Sequence, residues 1–129
     1  MNKEFLRSNM KNKKYDLEER LIQFALLVLS IVEELPNTYV GKYFGNQLVR
    51  SGTSPAFHYS EAQGAESRRD FVHKLKIGLK ELRESSTNMK IIKLKPIIES
   101  KLLDEAIVEC DELISIFVKS IQTTKSNMN

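Results

Sequence analysis

A single cysteine, Cys110, stands in a chain of 129 residues, so no disulfide can close within it. Nothing in that usage points to an oxidising compartment. Glycine occurs 5 times and proline 3 times, which excludes a turn-rich sandwich and a linker protein. Tryptophan is absent. His58 and His73 are the only histidines, too few for a zinc constellation without further ligands. The most apolar window, Leu21 to Val32, falls short of the roughly 20 residues a membrane span needs. No apolar segment follows Met1 closely enough to form a signal peptide, and the expected location is the cytoplasm, with no membrane partner.

What is present is charge and helical periodicity. Charged residues make up 29% of the chain, enough to keep one small domain in water. A domain of this size buries roughly 65–70% of its unfolded surface and needs no covalent staple. The formal net charge of +3 is unevenly spread. Residues 1–14 carry Lys3, Arg7, Lys11, Lys13 and Lys14 against Glu4, and residues 85–101 are also basic. The remainder is nearly neutral or acidic. Residues 1–13 are expected to form a flexible basic tail, residues 14–122 a four-helix bundle, and residues 123–129 a frayed end. A basic tail steers toward nucleic acid or an anionic membrane, or is simply a solvated terminus.

Four apolar rows have helical spacing. Leu17, Leu21, Phe24, Val28, Ile31 and Leu35 define a first helix over about 15–35, stopped by Pro36. Ile22, Ala25, Leu26, Leu27, Leu29 and Val32 make this helix apolar almost all round, so its outer face needs a cover. A second copy of the chain is the simplest one. A second helix starts near Val40 and meets Pro55, where it either kinks or breaks and restarts with Ser54 as N-cap. It resumes through Phe57, Tyr59 and Ala62 to about Gly64. Ser67 to Asp70 is a capping-box pattern opening a third helix that ends near Lys93. Leu103, Ala106, Ile107, Cys110, Leu113, Ile114, Phe117 and Ile121 stripe a fourth, over about 103–122. Helices of about 20 residues with short connections give an all-α, antiparallel up-down-up-down bundle.

The motifs of catalysis are missing. Asp70 and His73 lie one turn apart, but a di-iron bundle needs two such pairs and two further glutamates. Cys110 occupies a core position, where a thiol behaves as a small hydrophobe. Ser51 to Ser54 contain no nucleophile elbow, and no phosphate-binding glycine loop occurs. Glu18/Glu19 and Glu33/Glu34 sit at helix ends in solvated positions. The expectation is no catalytic, cofactor or metal site, and a chain that is not an enzyme.

One local preference is broken. Arg68 and Arg69 open the third helix, where cations are disfavoured, which suits a phosphate or an ion pair with Glu61, Glu66 or Asp70. Lys74, Lys76, Lys80 and Arg83 continue the basic character, with Glu81 and Glu84 interleaved and Lys80–Glu84 expected as an i,i+4 pair. Aromatic residues do not interleave with these cations along the sequence, which weakens a single-strand-binding reading.

The run Gln47-Leu48-Val49-Arg50-Ser51-Gly52-Thr53-Ser54-Pro55-Ala56 resembles the second-helix motif of a bacterial family of four-helix-bundle proteins, the intervening-sequence or S23 family. Residues 59–71 and 71–85 resemble its following segment and third helix, and the likeness covers about residues 14–122. The sequence departs from it at Ser86-Thr87-Asn88 and at Pro96. The resemblance implies an antiparallel four-helix bundle assembled as a homopentameric ring, without a catalytic motif. One similar branch, the accessory variability protein of diversity-generating retroelements, is a basic pentamer that binds a reverse transcriptase and nucleic acid. The expected function is thus a homo-oligomeric bundle that binds RNA or DNA weakly through Arg68, Arg69, Lys74 and the tail. The alternative is a scaffold for a protein partner.

Overall fold

Asp16 opens the first helix by accepting a hydrogen bond from the Glu19 N–H at 2.8 Å, and Glu18 and Glu19 place negative charge in its first turn. The computed structural model describes residues 16–128, and the basic tail 1–13 lies outside them. Among the described residues are four helices and no strand: α1 (Leu17–Glu34), α2 (Tyr39–Gln63), α3 (Arg68–Leu94) and α4 (Lys101–Ser126). Thr38 caps α2 by accepting from the Gly41 N–H, and Ser67 caps α3 by accepting from the Asp70 N–H, each at 3.0 Å. Ser67 is therefore the N-cap of α3, the first half of the expected capping box.

The helices form an all-α bundle in which each packs against its neighbour in sequence. α1 also meets α4, along a sparser seam, and of the diagonal pairs α2 and α4 meet through side chains, Tyr59 against Phe117 with ring centroids 6.3 Å apart. Cross-helix contacts run antiparallel. Ser51 meets Ser85 while Glu61 meets Lys74, and Lys93 meets Asp104 while Arg68 meets Asn127. The core holds Leu21, Phe24, Val28 and Ile31 from α1, Leu48 from α2, Leu75, Leu82 and Met89 from α3, and Cys110, Leu113 and Phe117 from α4. Each of these apolar rows follows the helical spacing of the sequence.

α2 approaches α1 through small residues. A Cβ on Gly52 would lie 2.7 Å from Val28 Cγ1, so only glycine admits this spacing without displacing a buried, stiff side chain. Four features depart from the sequence reading. α2 does not break at Pro55, which is buried inside a continuous helix. Ser54 is no N-cap: its hydroxyl donates to the Arg50 carbonyl at 2.6 Å, and Thr53 donates to that of Val49 at 2.7 Å. Both hydroxyls bond carbonyls of the preceding turn, whereas the carbonyl that Pro55 cannot serve is that of Ser51. The helices are unequal, with 18 residues in α1 and 25, 27 and 26 in α2, α3 and α4. α4 continues to Ser126, through positions expected to fray.

Candidate nucleic-acid interface

α3 owes its charge layout to a period of 3.6 residues. Its inward row is Val72, Leu75, Gly78, Leu82, Ser85, Met89 and Ile92. Arg69, Lys76, Lys80 and Arg83 then fall on the opposite side and form one outward ridge. From Arg69 to Arg83 that ridge spans about 21 Å at 1.5 Å per residue.

The two acids of this stretch leave the ridge. Glu81 is buried and bonds the Arg50 guanidinium of α2 at 2.9 and 3.2 Å. Glu84 also turns to Arg50, at 3.2 Å. The expected Lys80–Glu84 pair is not formed, because the bidentate-capable guanidinium across the helix seam takes both carboxylates. Among the described residues, Lys76, Lys80 and Arg83 make no ion pair with an acid. Lys76 instead lies against Lys125 of α4, and its pKa is lowered below the usual lysine value, first because a neutral Lys76 amine can accept a hydrogen bond from Lys125 and second by charge repulsion. Arg50, Lys76, Lys80 and Arg83 border an open groove of about 580 Å³ together with Gln47 and Asn88. Arg50 remains 55% exposed in spite of its bonds.

The three residues singled out in the sequence do not share a face. Arg68 donates to the Asn127 main-chain carbonyl and so fastens the start of α3 to the end of α4. Lys74 points toward α2 and pairs with Glu61 at 3.2 Å. Arg69 is exposed on the ridge, with no ion pair among the described residues. Lys76, Lys80 and Arg83 escape a sequence reading as an unpaired group because that depends on the contact of Arg50 with Glu81 and Glu84 between helices. The 3.6-residue sorting of α3 is the signal that could have found them.

Other chemistry-bearing residues are occupied structurally. His73 is exposed, one turn after the cap contact of Asp70. Among the described residues no group of three His, Cys, Asp or Glu side chains is placed to hold a metal ion. Cys110 is buried and donates to the Leu82 carbonyl at 3.2 Å, and burial, with the neighbouring Asp111 second, pushes its pKa up to about 12. Arg20 grips the buried Glu109 with two hydrogen bonds, at 2.6 and 3.0 Å. Among the described residues no helix is long and apolar enough to cross a membrane.

Comparison with known proteins bears on this arrangement. A family model described as 23S rRNA-intervening sequence protein matches residues 13–119. A solved structure from Bacteroides thetaiotaomicron, a protein with unknown function from the S23 ribosomal protein family, is 25% identical and superposes with a TM-score of 0.76. The match covers 82% of this chain and 98% of that one. No curated protein matches the sequence.

Proposed function

The chain belongs to the 23S rRNA-intervening sequence protein family, and from that premise we propose that it is a non-enzymatic, homo-oligomeric bundle of the cytoplasm that holds nucleic acid, RNA foremost, by weak electrostatic contacts. One observation carries the reading. Arg50 draws Glu81 and Glu84 away from the α3 ridge, which leaves Lys76, Lys80 and Arg83 as cations without carboxylate partners among the described residues. Such a row attracts a phosphate backbone. Arg69 extends it, while Arg68 and Lys74 contribute long-range charge from their paired positions.

Self-association multiplies a modest charge. The outer face of α1 keeps Ile22 44% and Leu29 37% exposed, which supports a second copy as its cover. At +3 per chain, the pentameric ring implied by the family resemblance would carry about +15. A second reading, a scaffold for a protein partner, is favoured by the apolar exposure of Val108 on α4. No cofactor enters either reading.

The test is the affinity for a structured RNA and a matched DNA duplex, titrated from low to physiological salt. The expected result is affinity falling as a power of salt concentration. The chain carrying Lys76→Ala, Lys80→Ala and Arg83→Ala together should show weaker binding and a shallower slope, by roughly 0.7–0.9 for each phosphate that is no longer neutralised. Absence of binding at low salt would remove the nucleic-acid reading. A nuclease-insensitive pull-down dominated by one protein would favour the scaffold.

A further inference from the structure

The aromatic residues that are scattered in the sequence come together beside the cations in space. Tyr43, Arg50 and Phe57 are spaced by seven residues, two helical turns, and therefore share the outward ridge of α2. Phe57 is 66% and Tyr43 51% exposed, and Tyr43 is braced edge-on against Phe44, with ring centroids 5.2 Å apart. The level of Phe57 along the bundle is fixed by its neighbour. His58 Cβ lies 3.5 Å from the place a Cβ on Gly78 would occupy. Phe57 thus stands level with the stretch of α3 between Lys76 and Lys80. Packed helices lie about 8–10 Å apart, so an aromatic ridge and a cationic ridge run side by side, joined by the Arg50 guanidinium.

We infer that this α2–α3 face takes a single-stranded nucleic acid, its bases stacked on Phe57 and Tyr43 and its phosphates on Lys76, Lys80 and Arg83. The inference rests on the nucleic-acid reading above and adds to it the strandedness of the ligand. A duplex keeps its base faces stacked inside and can use only the cations. A single strand offers bases and phosphates together, and a π-face accepts every base without sequence preference. An exposed phenylalanine contributes nothing to a purely electrostatic contact, so Phe57 separates the two modes.

The experiment measures fluorescence anisotropy of a labelled single-stranded RNA of mixed sequence and of its duplex, with the full chain. Phe57→Leu is expected to weaken single-strand binding by about 5- to 100-fold, with the salt slope and the duplex affinity unchanged. Phe57→Tyr should retain binding, and Lys76→Ala with Lys80→Ala should weaken both ligands and flatten both slopes. Unchanged single-strand affinity in Phe57→Leu, alongside weaker binding by the lysine variant, would overturn the inference and leave the electrostatic reading standing. A change in assembled mass on Phe57→Leu, seen by light scattering, would assign Phe57 to contact between copies and overturn it as well. Failure of the unaltered chain to bind either RNA would end both.

Discussion

At the scale of the residue, Cys110 shows how burial decides chemistry. Its thiol is held at about 12 against 9.0 for an ordinary thiol, because the charged form would have to sit in the core. The folded chain keeps the proton at pH values where the unfolded chain releases it. The stabilisation is therefore complete below about pH 9 and is lost as pH rises toward about 12. Urea midpoints measured at pH 8 and pH 10.5 should fall further in the natural chain than in Cys110→Ala, since the variant lacks this titration. Equal declines would mean that the thiol ionises alike in both states. A thiol in this setting is a packing group, which agrees with its place in the apolar row of α4.

At the scale of the element, α1 is fastened to α4 along the sparsest seam, and Arg20 is its polar anchor. Both Arg20 and Glu109 are withdrawn from water and joined by two hydrogen bonds. Arg20→Ala would leave Glu109 buried without that partner and should lower stability by about 3–5 kcal/mol, read from denaturant unfolding. Amide exchange should quicken along α1 before the other helices. The four helices themselves were legible in the sequence because each has an apolar row of helical period and flanking stop signals. What the sequence hid were contacts made between helices. Glu109 and Glu81 look solvated along the chain and are buried in the bundle, since each meets an arginine from another helix. Pro55 reads as a breaker, and it lies buried within a continuous α2. The candidate site was half legible: Lys76, Lys80 and Arg83 were visible as basic residues, and their release from Glu81 and Glu84 was not.

At the scale of the whole molecule, the expected assembly depends on the outer face of α1. Ile22 and Leu29 are exposed in the single chain, so charging them should spare the fold. A chain carrying Ile22→Glu and Leu29→Glu is expected to keep its helical circular dichroism and to sediment at a smaller mass. If the mass is unchanged, the contact between copies lies elsewhere. Loss of assembly would also test the charge argument, because a monomer presents one ridge where a ring presents several, and multivalent binding would fall with it.

The order of packing also bears on how the chain reaches its fold. Helices whose backbones approach closely are consecutive in sequence, apart from the single closure between first and last. Most of the native contacts therefore close short loops, the topology that folds in microseconds to milliseconds. During synthesis each new helix finds its docking surface already present, in the helix made just before it. The Arg20–Glu109 clasp, separated by 89 residues, is among the contacts that must wait until α4 has been made. The bundle can grow by one hairpin partner at a time, with its last tertiary contact serving to close it.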